Sequence, residues 1–223
     1  MDRKLITLHH IYDALALPNF DGSKAQNGMS PPGRERMRST PENPPRQSAV
    51  LVLLYPKADA GFHIILTKRT TTLRGHSGQV SFPGGSMDEE DATYEDTALR
   101  ETCEELGICD TSQIQILGRL SKMWIPPSNF DVIPVVATMK HEPKMTPSPF
   151  EVAKVLHMPL SALLDDATKR TTTMDFRGMA MDVPYYDVDG HIVWGATAGM
   201  LSEFEKRLKV VLKHTVIKDT KKK

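Results

Sequence analysis

The apolar positions of this chain fall into runs of two periods. Residues 49–55 (Ala-Val-Leu-Val-Leu-Leu-Tyr) are apolar without interruption, which reads as a buried strand. The polar turn Lys57-Ala58-Asp59-Ala60-Gly61 leads into a second strand at 62–67. Residues 114–120 and 130–139 also read as strands, the latter broken by Pro134, and 152–158 is a further candidate followed by a short helix at 160–165. Asp189-Gly190 between 179–188 and 191–194 marks a late hairpin. Helical spacing appears at 5–17, at 92–106 and at 197–216, where Met200, Leu201, Phe204, Leu208, Val211 and Leu212 recur every three or four residues. Between 18 and 47 the chain turns to Pro, Gly, Ser, Asn and Arg, a loop or an ordered wrap rather than a domain of its own. Strands in the middle with helices on either side indicate a mixed α/β or α+β class, and there is no internal repeat.

The helix at 92–106 has an unusual polar face. Glu101, Glu104 and Glu105 are three and four residues apart, so their carboxylates share one side of the helix. Three like charges this close repel, and a divalent cation is the simplest compensation, because hard oxygen ligands suit Mg²⁺ or Mn²⁺. Asp88 or Asp91 is placed to cap the helix, Leu99, Thr102 and Leu106 mark its inner side, and Gly107 is placed to end it in the left-handed conformation. A solvated acidic face is the plain alternative. The double glycine Gly84-Gly85 just upstream favours a site, since a backbone without side chains admits a metal or phosphate.

Composition narrows the classes. At 223 residues the chain can bury a full core as one domain with terminal additions. Lys plus Arg and Asp plus Glu stand at 28 each, so net charge gives no sign of nucleic-acid binding. The Lys-rich end at 218–223 reads as a solvated tail. Cys103 and Cys109 fit neither a zinc pair nor a Cys-x-x-Cys motif, so reduced thiols in a cytoplasmic protein are expected. Residues 1–5 lack the apolar run of a signal peptide, and no stretch reaches the ~18 apolar residues that a membrane span needs. Neither a nucleic acid nor a membrane is therefore expected as a partner, and a homodimer is the assembly to look for.

Two motifs give these features a family resemblance. From Gly85 the chain runs five residues to Asp91, eight more, and then Arg100-Glu101-Thr102-Cys103-Glu104-Glu105-Leu106-Gly107-Ile108. This resembles the Nudix hydrolase signature Gx5Ex7REUxEExGU, where U is aliphatic. It departs in one extra residue with Asp for the first Glu, and in Thr102 at an aliphatic position. Upstream, Ile65-Leu66-Thr67-Lys68-Arg69-Thr70, Arg74, Gly78 and Phe82-Pro83-Gly84-Gly85 are similar to LLTxR[SA]x3Rx3Gx3FPGG, the pattern of Nudix enzymes that cleave coenzyme A. That subfamily commonly shifts the box by one residue. Pro134-Val135-Val136, Glu151-Val152 and Trp194-Gly195-Ala196-Thr197 are similar to its later blocks, so the resemblance covers roughly residues 49–208.

The resemblance implies a mixed sheet sandwiched between helices, with 48–217 the hydrolase domain, and a small molecule as its partner. Residues 1–47 are read without its help as a helix and Pro-rich extension packed on that domain, and 218–223 as a basic disordered tail. It implies that Glu101, Glu104, Glu105 and the carbonyl of Gly85 hold Mg²⁺ or Mn²⁺. A water deprotonated by one of the glutamates, or by Glu151 from an opposite loop, would attack the diphosphate. Arg100 would clamp the carboxylates, while Arg69, Arg74 and Gly84 would bind substrate. Phe82, Trp124 and Trp194 could stack on adenine, Trp194 being better placed for the core, and His63 and His76 are expected to be ordinary strand or loop histidines. The implied reaction splits coenzyme A or acyl-CoA to 3′,5′-ADP and (acyl-)4′-phosphopantetheine. Another diphosphate, such as ADP-ribose, NADH or a dinucleotide polyphosphate, is the alternative within the same chemistry. A nucleotide sensor without turnover is the alternative outside it.

Overall fold

A computed structural model of the chain describes residues 6–33, 39–40, 42–57, 61–71, 78–176 and 178–220, with the backbone alone for 215–220. The first helices are α1 (Leu8–Leu15) and α2 (Gly22–Asn27). The strands β1 (Arg46–Lys57), β2 (Gly61–Arg69), β3 (Val80–Ser81) and β4 (Gly84–Ser86) precede the acidic helix α3 (Tyr94–Leu106). Then come β5 (Ile114–Arg119), β6 (Met123–Ile125), β7 (Phe130–Met139) and β8 (Val152–Pro159), and the hairpin strands β9 (Lys169–Phe176), β10 (Met179–Val188) and β11 (His191–Trp194). The long helix α4 (Gly195–Thr220) follows directly.

β1 is the centre of an eight-stranded mixed sheet. It runs parallel to β7 and antiparallel to β2 and β4. Its unbroken apolar run follows from cover on both faces. Ala49, Leu51, Leu53 and Tyr55 pack with Ala98 and Leu106 of α3, while Val52 and Leu54 pack with Ile11 of α1 and Leu201, Phe204 and Leu208 of α4. The sheet is thus sandwiched between α3 and the α1–α4 layer, the mixed α/β arrangement expected from the chain.

Several local expectations need correcting. The polar stretch after residue 18 contains α2, capped by Asp21, whose carboxylate accepts from the Lys24 N–H. Pro134 does not break β7. It falls where the neighbour on one side changes from β5, which ends opposite Val135, to β6, which begins opposite Val132, so its missing N–H leaves no ladder bond empty. The cap of α3 is neither Asp88 nor Asp91 but Thr93, in a capping box with Asp96. α4 continues through Thr220, so the first three residues of the expected disordered tail are helical, and 221–223 lie outside the described residues. β6 and β9 were not anticipated.

Cys103 and Cys109 are joined in a disulfide that closes a short loop around Gly107. This overturns the expected reduced thiols and removes the ground on which a cytoplasmic setting was inferred. The spacing misled because the left-handed Gly107, at φ +72°, turns the chain back on the helix and brings position 109 beside position 103. Among the described residues no helix is long and apolar enough to cross a membrane.

Candidate active site

The site is built where β4 crosses the start of β1 and α3 lies over both. β4 pairs with β1 through Ala49–Gly85 and Val50–Gly84. Gly84 has φ +151°, and a Cβ there would stand 2.4 Å from the Ala49 carbonyl oxygen, so the two backbones touch and only glycine fits. Its N–H donates to the Glu105 carboxylate. The Gly85 carbonyl accepts from Ser48 Oγ at 2.5 Å, and a Cβ on Gly85 would meet Glu101 Oε1 at 2.3 Å. The double glycine therefore seats the Glu101 carboxylate directly on the β4 backbone.

Arg100 ties the cluster together. Its Nε and Nη2 donate to Asp91 at 3.2 and 3.0 Å, Nη1 to Glu101 and Glu104 at 3.1 Å each, and Nη2 also to the Ser86 carbonyl at 2.9 Å. These bonds hold the Asp91 carboxyl down at about 2 and raise the guanidinium above its already high value. Asp91 thus uses its shorter side chain, at the position where the family motif has Glu, as a fork for the arginine.

The three glutamates are placed differently. Glu105 is 2 % exposed, and burial pushes its carboxyl up to about 7 against the pull of Arg69 and Gly84, with the charges of Glu101 and Glu151 adding to the rise. It accepts from Thr67 Oγ1 at 3.3 Å, and Arg69 Nη1 stands 3.8 Å away. Glu101 is also raised by burial, with Glu104 and Glu151 opposing its ionisation and Arg100 favouring it. Glu104 is half exposed and is held by Arg100. Glu151 lies on a loop that Ser148 N–H ties to the Glu105 carbonyl, Thr70 N–H at the end of β2 donates to the Glu151 carbonyl at 2.9 Å, and the Glu151 charge is felt by both Glu101 and Glu105.

Carboxylates and a carbonyl are the donors a hard divalent ion takes, and a buried glutamate that holds its proton near neutrality is a group in need of a cation. With Arg100 bridging Glu101 and Glu104, no three acidic or histidine side chains among the described residues converge on one point. The donor set fits the metal in chemistry.

Arg69 ends β2 with its Nε buried and without a partner among the described residues. Arg74, offered alongside it, and His76 lie outside the described residues. His63 sits on β2 against the ring of Tyr55, seven residues along β1 from Ser48, and takes no part in the site. Phe82 is 2 % exposed in the core, and Trp194 packs edge-on against Phe176. The Trp124 indole N–H is bonded to Asn129 Oδ1. The sequence reading missed Ser48, a hydroxyl on a strand whose partner is fixed only by register. Thr67 and Thr70 stood in the quoted motif, but with no role assigned to either hydroxyl.

A family model described as NUDIX domain matches residues 45–176, more than half of the chain. The chain belongs to the Nudix family. Among curated Nudix relatives, NudL of Photorhabdus laumondii, an uncharacterized Nudix hydrolase, is 34 % identical over 74 % of this chain and 86 % of its own length. NudL of Cronobacter sakazakii, likewise uncharacterized, is 37 % identical over 71 % of this chain and 80 % of its own. Nudix hydrolase 15, mitochondrial, of Arabidopsis thaliana is 34 % identical over 70 % of this chain and 56 % of its own, so the chain spans little more than half of that relative's length. Among solved structures, the Nudix hydrolase RenU of M. smegmatis shares the fold, with TM-score 0.52 and 16 % identity over 76 % of this chain and 86 % of its own. Nudix hydrolases generally use divalent metal ions.

Proposed function

We propose that this Nudix protein is a Mg²⁺- or Mn²⁺-dependent pyrophosphohydrolase that splits coenzyme A or an acyl-CoA to 3′,5′-ADP and (acyl-)4′-phosphopantetheine. The observation that carries the hydrolase reading is Glu101 seated on Gly85 beside the buried Glu105, with Arg100 bridging Glu101 to Glu104 and the charge of Glu151 acting on both Glu101 and Glu105. When bound, a divalent ion supplies positive charge against the diphosphate oxygens and lowers the pKa of water beside it. Glu101, Glu104, Glu105 and the Gly85 carbonyl would hold it. Arg100 fixes the helix carboxylates through Asp91 and the Ser86 carbonyl. Glu151 takes the proton as water adds to one phosphorus and the bridging P–O bond breaks, releasing the other phosphate as the leaving group. Arg69, with an unused Nε and a fork suited to phosphate, binds a substrate anion, and Arg74 shares that task. The narrower choice of coenzyme A rests on the Ile65 to Gly85 motif, in which Thr67, Arg69 and Gly84 all meet Glu105.

The test is kcat/KM for coenzyme A, an acyl-CoA, ADP-ribose, NADH and diadenosine tetraphosphate with Mg²⁺ and with Mn²⁺, products identified by mass. Coenzyme A or its acyl form is expected to lead by at least tenfold, and Glu104→Gln to lower its kcat by on the order of a hundredfold or more. Equal rates on all five would overturn the coenzyme A assignment and keep the hydrolase. No turnover of any diphosphate by the wild type would replace it with a nucleotide sensor.

A further inference from the structure

We infer that Phe150 is the platform on which the substrate's adenine stacks, which makes it a specificity-determining residue of this site; this rests on the reading above. Phe150 is 80 % exposed, the most exposed large hydrophobic side chain among the described residues. A lone exposed apolar residue is ordinary. This one lies beside the site, because it sits two residues after Ser148, whose N–H is bonded to the Glu105 carbonyl at 2.8 Å, and one residue before Glu151.

Its backbone is held from both sides. Thr70 Oγ1 donates to the Phe150 carbonyl and Thr70 N–H to the Glu151 carbonyl, each at 2.9 Å. Ser148 N–H reaches back to the Glu105 carbonyl and Thr146 N–H to the Leu106 carbonyl, both at 2.8 Å, so the loop hangs on the last turn of the glutamate helix. Pro147 and Pro149 stiffen what lies between. A ring on so fixed a loop loses little conformational freedom when it is covered.

The other aromatic candidates are buried or only partly exposed. Phe82 is in the core, Trp194 packs on Phe176, Trp124 is bonded through its indole N–H, and Tyr94 carries Arg119 over its ring with its hydroxyl on Gln47. Among the described residues the Phe150 ring has no aromatic or cationic partner. A diphosphate cleaved at the glutamates leaves its nucleoside beside this loop, and a purine takes an open aromatic face regardless of which hydrogen-bond edges are read elsewhere.

The experiment compares wild type, Phe150→Ala and Phe150→Trp. Binding of 3′,5′-ADP and of 4′-phosphopantetheine is measured by calorimetry, and kcat and KM for coenzyme A by product assay. Because the side chain is exposed, all three should melt together. Phe150→Ala is expected to weaken 3′,5′-ADP about tenfold and to raise KM by a similar factor with kcat within twofold. It should leave 4′-phosphopantetheine within twofold, and Phe150→Trp should restore or tighten 3′,5′-ADP. Weaker 4′-phosphopantetheine with unchanged 3′,5′-ADP would overturn the proposal by placing the other arm on the ring. Unchanged binding of both, or no binding of 3′,5′-ADP to the wild type, would overturn it as well. A wild type without turnover whose 3′,5′-ADP binding still depends on Phe150 would fell the hydrolase reading and leave the platform standing.

Discussion

Glu105 carries the strongest electrostatic signal at the scale of single residues. In the metal-free folded chain its carboxyl is pushed up to about 7, whereas an ordinary glutamate titrates near 4.5. Between those values the folded chain binds the extra proton, so stability is fully present below about pH 4.5 and falls as pH rises through 7. The loss is on the order of 3 kcal/mol. Melting curves in EDTA should show wild type declining from pH 5 to 8 relative to Glu105→Gln, which has no carboxyl to ionise. Mg²⁺ should recover the loss at pH 8 and change little at pH 5. Parallel profiles for the two proteins would remove the buried-carboxyl account. Gly85 is constrained as tightly, because a Cβ there lands 2.3 Å from Glu101 Oε1. Gly85→Ala must move that carboxylate, and kcat is expected to fall on the order of a hundredfold while the melting temperature shifts by only a few degrees.

At the scale of elements, α3 is held at both ends. Thr93 and Asp96 satisfy its first turn, and left-handed Gly107 closes the last one, its N–H on the Cys103 carbonyl at 2.8 Å. The Cys103–Cys109 disulfide braces the same end, from which the Glu151 loop hangs. Closing a ring this short stabilises by about 2 kcal/mol in the chain-entropy view. Dithiothreitol should therefore lower the melting temperature by roughly 5 °C and leave Cys109→Ser unaffected. A melting temperature indifferent to reductant in the wild type would show that the bridge contributes nothing to stability. The motif departure at Thr102 also finds its reason in α3. Thr102 is fully buried, with Oγ1 donating to the Ala98 carbonyl at 2.7 Å, so the hydroxyl is satisfied inside the helix and its methyl group packs as an aliphatic residue would.

At the scale of the whole molecule, the layer opposite α3 is joined by a buried ionic network as well as by apolar packing. Glu203 of α4 accepts from Gln26 of α2 at 2.8 Å, from Ser121 beside β5 and from Arg207 at 2.9 Å, and Arg207 Nη1 also donates to the Ala14 carbonyl at the end of α1. Both charges are almost fully buried. Removing one partner leaves the other uncompensated, so Arg207→Met is expected to cost about 3–5 kcal/mol and to lower the melting temperature by roughly 10 °C. The double variant Glu203→Met, Arg207→Met should lose less than the single one in a denaturant titration. Equal losses would mean that packing rather than uncompensated charge is at stake.

Local patterns in the sequence were sufficient for those parts of the fold and site that depend on near neighbours in the chain. The apolar run of β1, the helical spacing of α3 and α4, the Asp189-Gly190 hairpin and the glutamate spacing are all set by residues within a few positions, and each was legible. The motif spacing of Gly85, Arg100 and the three glutamates was legible for the same reason. What depended on distant partners was not. Ser48 on the Gly85 carbonyl, Thr67 on Glu105 and Thr70 on the Glu151 loop are set by strand register and loop return. The Cys103–Cys109 bridge needed the turn at Gly107 as well as the spacing. The 7-like titration of Glu105 comes from burial under a sheet that the helix alone does not have. Along the chain three carboxylates implied a cation. Only the tertiary structure decided how differently they are held: one buried, one seated on a glycine, and one half exposed against Arg100.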